Sequence, residues 1–161
     1  MLLGTSQGGG LVLNLASRYN DFDGVVAIAP GHLNFPAGSI TANTSAWTFN
    51  GKEVPYVPIP FSAVVLSLIG KKSKVWEIIF TAKRSNSEAE IEVEKITCPI
   101  LLLSAKDDEV WPSQYMCEQI VTRLNKNRHI NYYKHISFEG GHYVMRKYFD
   151  DVFNFIAEHF K

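Results

Sequence analysis

Net charge is what this sequence has least of: sixteen lysines and arginines balance sixteen aspartates and glutamates, for a formal charge of +0 at pH 7. No global field draws such a chain to nucleic acid or to an anionic membrane, so neither is expected as a partner. Cysteine is also scarce. Cys98 and Cys117 are the 2 present, with neither the number for a disulfide framework nor the spacing of a metal site, and both read as reduced, buried thiols. No metal and no cofactor is expected. Long apolar runs are missing too: the best, Phe61 to Ile69, is interrupted by serines and falls well short of the roughly 20 residues a membrane span needs. No charged-then-apolar leader opens the chain, and a cytoplasmic location is the expectation. What is present is a globular composition, 46% hydrophobic and 12% aromatic over 161 residues, enough for one domain with a sizeable core.

The first nine residues after Met1 concentrate the most information. Leu2-Leu3-Gly4-Thr5-Ser6-Gln7-Gly8-Gly9-Gly10 starts apolar, passes a serine flanked by small residues, and enters an amphipathic stretch. It reads as strand, sharp turn, helix, with Ser6 at the apex. A serine held there projects its hydroxyl from the carboxyl edge of a sheet, and the first helical amides face any negative charge that forms beside it. Gly4, Gly8 and Gly9 fit a tight turn. Taken alone the pattern also suits an ordinary strand-to-helix turn with an incidental serine, so the rest of the chain must supply a base and an acid.

Further along, Leu11, Val12, Leu15 and Ala16 recur at helical spacing, and Gly24 to Ala29 is an unbroken apolar run closed by Pro30-Gly31, the form of a strand buried on both faces. Regular alternation then stops from His32 to about Pro60, where prolines and asparagines punctuate an irregular, lid-like insertion with a small hairpin at Trp47 to Val54. Helices are predicted over Ser62 to Gly70 and Lys74 to Lys83, the second with Val75, Ile78, Ile79 and Ala82 on one side. Lys71, Lys72, Lys74, Lys83 and Arg84 read as a solvated basic face rather than a phosphate site. Ser85 to Glu94 is a linker or short helix. Pro99 to Ser104 is the clearest buried strand, Ser113 is placed to cap the helix after it, another strand is predicted over Ile130 to Phe138, and a helix through Tyr148, Val152, Phe153, Ile156 and Phe160 closes the chain.

The loop after Ser104 carries Asp107 and Asp108, and the loop after Phe138 carries Gly140-Gly141-His142. In a parallel sheet both lie on the edge that carries Ser6. A serine hydroxyl is a poor nucleophile until an imidazole takes its proton, and that imidazole needs a carboxylate to fix its tautomer. Ser6, Asp108 and His142 are the candidate catalytic residues, in the chain order of the α/β-hydrolases. Asp107 is the alternative acid. The other histidines, His32, His129, His135 and His159, lack a comparable glycine turn.

Several segments together make the resemblance narrower. The Gly4 to Gly9 turn, the hairpin ending in Val54-Pro55, Ile91 to Ile96, Pro99 to Ser104, the run Lys106-Asp107-Asp108-Glu109-Val110-Trp111-Pro112-Ser113 and Gly140-Gly141-His142 resemble the carboxyl-terminal catalytic domain of acyl-CoA thioester hydrolases and bile acid-CoA:amino acid N-acyltransferases. The resemblance implies an α/β fold, the C-terminal portion of an α/β-hydrolase, with a mostly parallel sheet and helices on both faces. It implies one domain over residues 1–161 that lacks the N-terminal strands, the insertion falling at about 32–60. It further implies cleavage of an acyl-CoA thioester or related carboxylic ester through an acyl-serine. Because conjugating relatives carry cysteine at the turn, Ser6 points to water as acceptor. The backbone amide of Gln7 is the implied oxyanion donor, the second donor coming in this fold from an earlier strand loop. The expected partner is a small-molecule thioester or ester. The alternatives are a general dienelactone-type esterase, or an inactive fragment that self-associates through an exposed sheet edge.

Overall fold

The computed structural model describes residues 1–38, 43–81, 87–143 and 148–160. Two compact units divide the chain: Met1–His32 together with Ile91–Lys161, and Leu33–Glu90. The expected insertion falls inside the second, which continues beyond it through two helices.

The first unit is built on a four-stranded sheet, β1 (Leu2–Thr5), β2 (Val25–Ile28), β5 (Ile100–Ala105) and β6 (Tyr133–Phe138), in that spatial order. All three pairings are parallel, so the four carboxyl ends share one edge. Alternation of side chains along β2 and β5 splits the core into two layers. Val25, Ala27, Ile100 and Leu102 face α1 (Gln7–Ala16) and α4 (Ser113–Lys126), meeting Val12, Leu13, Cys117, Ile120 and Leu124. Val26, Leu101 and Leu103 face the other way, onto Val152 and Phe155 of α5 (Phe149–His159). This α/β architecture, a parallel sheet covered on both faces, is the one the sequence predicted. Each fully buried leucine or isoleucine in these layers contributes about 1.5–3 kcal/mol relative to exposure. Both cysteines are free and buried, Cys98 before β5 and Cys117 within α4.

Three local expectations change. Ser113 is the first residue of α4 and not its cap; Pro112 precedes the helix with no side-chain cap. The Ser113 hydroxyl instead accepts the Ala105 amide proton at 3.1 Å, because the strand end beneath it offers a buried backbone donor that must be satisfied. In α5 the buried residues are Val152 and Phe155, whereas Phe153 is 61% exposed. The last strand begins only at Tyr133, since Ile130, 93% exposed, packs on nothing that would hold it in the sheet.

The second unit holds a hairpin of β3 (Thr48–Phe49) and β4 (Lys52–Glu53) around Asn50-Gly51. It also holds α2 (Phe61–Leu68) and α3 (Lys72–Thr81). Bridges Leu33 to Glu90 and Pro36 to Ser45 close it. Ala82, Lys83, Arg84 and Ser85, assigned from sequence to a helix end, a basic face and a linker, lie outside the described residues. In the sheet unit, a 3₁₀ turn occupies Val93–Lys95. Among the described residues no helix is long and apolar enough to cross a membrane.

His32 closes the first stretch of the sheet unit, its ring edge-on to Tyr115 with centroids 5.9 Å apart. Burial pushes its pKa down to about 4. Because the folded value lies below the unfolded one, the neutral ring's contribution to stability is complete above about pH 6.5 and is lost as pH falls towards 4. The loss approaches roughly 3 kcal/mol. Denaturant unfolding followed across that range should show this acid-side slope, and His32→Phe should flatten it.

Candidate active site

Ser6 stands between β1 and α1 at φ 55 and ψ −123. Positive φ at a residue with a side chain costs of order 1–3 kcal/mol and persists only where the surroundings over-determine it. Here they do. The Ser6 amide donates to the Ile28 carbonyl at 2.7 Å, and its own carbonyl accepts the amide protons of Gly9 and Gly10 at 2.9 and 3.2 Å. The hydroxyl makes no cap bond to the helix it precedes. Gly4 is required by close approach, since a methyl group there would overlap the Gly8 carbonyl; Gly8 itself faces open space. Of the glycines singled out from sequence, then, Gly8 is the one this packing does not demand. Gln7 opens α1, which puts its peptide unit at the positive end of the helix dipole.

Asp108 lies just beyond β5 and is fully engaged. One carboxylate oxygen accepts the amide protons of Val110 and Trp111, both at 3.0 Å. The other meets Nδ1 of His142 at 2.8 Å. Both side chains are almost wholly buried, 1% and 3% exposed. Burial is the largest influence on the Asp108 carboxyl and would raise its pKa. The bonds from His142 and Ser113 and from the Trp111 and Val110 amides together outweigh it and hold the group below the usual carboxylate range. With Nδ1 committed to the carboxylate, Nε2 is the nitrogen left to work.

The turn that delivers His142 is tied to the loop after β5 by backbone bonds. Lys106 donates to the Phe138 carbonyl at 3.0 Å and Asp107 to that of Gly140 at 3.1 Å. The Asp107 carboxylate faces the Gly140 amide at 3.3 Å, so it holds the turn and not the imidazole.

Two residues of this site were not identified from the sequence. Glu109 accepts the backbone amide proton of His142 at 2.9 Å and packs where any side chain on Gly141 would stand; that glycine was the one available signal for it. Trp111 donates its indole N–H to the Ala29 carbonyl at 3.2 Å and sets its ring edge against His142, centroids 5.9 Å apart. Ala29, at φ 45, follows β2, the strand next to the one that carries Ser6. The indole therefore links the end of β2 to the imidazole. Among the described residues no hydrogen bond joins the Ser6 hydroxyl to His142, and no group of three His, Cys, Asp or Glu side chains is placed to hold a metal ion.

Against known proteins, the family described as BAAT / acyl-CoA thioester hydrolase C terminal matches residues 1–159. The chain belongs to that family. Solved structures agree on an α/β-hydrolase fold. An acylaminoacyl peptidase from Pyrococcus horikoshii superposes with TM-score 0.62 at 12% identity, over 99% of this chain and 24% of that one. A Pyrococcus furiosus esterase gives 0.58 and 12%, over 99% and 53%. Acetyl xylan esterase 1 from a Thermoanaerobacterium species gives 0.53 and 17%, over 99% and 45%. This member of the family thus spans about half or less of the length of these structures. A search of curated proteins finds no match.

Proposed function

We propose that this family member is a serine hydrolase that cleaves an acyl-CoA thioester or related carboxylic ester through an acyl-Ser6 intermediate. The observation that carries the reading is the buried 2.8 Å Asp108–His142 pair, set on the same sheet edge as a serine held at positive φ. Ser6 Oγ attacks the acyl carbon as His142 Nε2 takes its proton. The tetrahedral intermediate then collapses, the thiolate or alkoxide leaves with that proton, and a water activated by the same nitrogen releases the acid. Asp108 stabilises the imidazolium and fixes its tautomer without itself being protonated. The Gln7 amide is assigned as one oxyanion donor, a contribution of ~10²–10³ in turnover for such a group.

The Ser6–His142 hydrogen bond belongs, on this reading, to the substrate complex, in which such bonds commonly tighten. The family match supports a CoA thioester over a simple ester as the substrate. A fluorophosphonate reagent tests the assignment. One equivalent should attach to Ser6 of the folded chain, and none to Ser6→Ala. Modification at another serine, or none at Ser6 while the chain is folded, would overturn it.

A further inference from the structure

In the Leu33–Glu90 unit, α2 turns an apolar side outward. Phe61, Val65 and Leu68 of this helix, with Ile69 at its C-cap, recur at the spacing of one helix face. They are 81%, 41%, 76% and 59% exposed, whereas Ala63 on the opposite side is buried. An ordinary solvent face looks different. On α4 the exposed residues include Glu118, Thr122, Asn125 and Lys126, but from Val54 to Gly70 the chain carries no charged side chain at all. Holding four large apolar groups together in water forgoes the free energy of burying them, and a contiguous patch of this kind marks a contact surface.

Charge identifies what covers it. Lys71, Lys72 and Lys74 follow the helix directly, and no acid stands between Glu53 and Glu77. Lys71 and Lys74 are exposed. Averaged over the chain, the charge gives no reason for a membrane partner; along this segment its distribution does. A helix of 8 residues is about 12 Å long, far too short to span a bilayer. Lying in the plane of the interface, however, it needs only an apolar face to enter the acyl boundary and cations to meet anionic headgroups. Lysine suits that position because its stem lies along apolar surface while the ammonium stays at headgroup level.

We infer that α2 docks on the surface of an anionic lipid bilayer, with Phe61, Val65, Leu68 and Ile69 entering the acyl boundary and Lys71 and Lys74 at the headgroups. The docking is independent of the chemistry assigned to Ser6.

Co-sedimentation of the whole chain with lipid vesicles tests this, using phosphatidylcholine alone and phosphatidylcholine with about a third of the lipid replaced by phosphatidylserine. At about 0.1 M salt the anionic vesicles should bind the chain at least about thirtyfold more tightly, and the difference should shrink as salt is raised. Phe61→Ser combined with Leu68→Ser should lower the partition coefficient at least about thirtyfold; both positions are exposed, so the fold should persist, as an unchanged unfolding midpoint would verify. Lys71→Gln combined with Lys74→Gln should lower binding to the anionic vesicles about thirtyfold and leave binding to the neutral ones unchanged. Ile130→Ser, which removes an exposed apolar side chain from the sheet unit, should alter neither. The inference is overturned if the anionic vesicles fail to bind the chain, or if Ile130→Ser lowers binding as much as the α2 substitutions do. It is equally overturned if the chain dimerises without lipid and the Phe61→Ser, Leu68→Ser variant is monomeric, since the face then belongs to a second copy of the chain.

Discussion

Asp108→Asn is expected to lower kcat by ~10⁴-fold, and Asp107→Asn by less than about tenfold. The two aspartates are neighbours in sequence with different work to do. The Asp107 carboxylate faces a backbone amide at Gly140, and the backbone bonds that also hold that turn survive its loss. Asp108 receives the imidazole. An asparagine there keeps an oxygen for the Val110 and Trp111 amides and presents an NH₂ to His142 Nδ1. The ring must then accept at Nδ1 and carry its proton on Nε2, the nitrogen that has to receive the serine proton. The fold persists while the base is lost. Single-turnover acylation measured with a chromogenic ester separates this from a binding defect, because kcat falls with little change in KM.

Stability gives an independent view of the same pair. The folded Asp108 carboxyl titrates below its ordinary range, so what it adds to stability is present above the unfolded carboxylate pKa and is lost as pH falls through the lower folded value. In Asp108→Asn that acid-side slope should be smaller.

How much of this could be read from the chain depends on how local the cause is. The strands β2 and β5 announce themselves as short, unbroken apolar runs because both their faces are buried. The turn at Ser6 is legible because glycine at position 4 is forced by a contact only four residues away. Parallel topology then places the loops of Asp108 and His142 on one edge without any further information. Which aspartate meets the ring is not local; it is decided by how the loops after β5 and β6 lock together through Lys106, Asp107 and Glu109. Trp111 was visible only as part of a family pattern, since its tie to Ala29 spans 82 positions of sequence. Ser113 had every local mark of a helix cap, and a buried strand amide claimed it first.

Ser6→Ala should reduce hydrolysis by ~10⁶-fold in kcat, the largest effect of any single change. What remains above the uncatalysed rate would come from substrate binding and the oxyanion site, ~10³–10⁴-fold in enzymes of this type. Alanine keeps the Cβ and so keeps the strain at φ 55; its unfolding midpoint should match the parent. Ser6→Gly, equally inactive, should instead be more stable by about 1 kcal/mol, because relief of the left-handed strain exceeds the entropy glycine adds to the unfolded chain. The strain is then present for the sake of the hydroxyl's position, and stability and turnover at this residue move in opposite directions. Ser6→Cys provides the chemical counterpart. Its acyl-enzyme is a thioester and not an ester, so transfer to an added amine should gain on transfer to water, read as the ratio of amide to free acid. If Ser6→Ala retained more than about a hundredth of the parent's kcat, the nucleophile would lie elsewhere, and the strained turn would need another explanation.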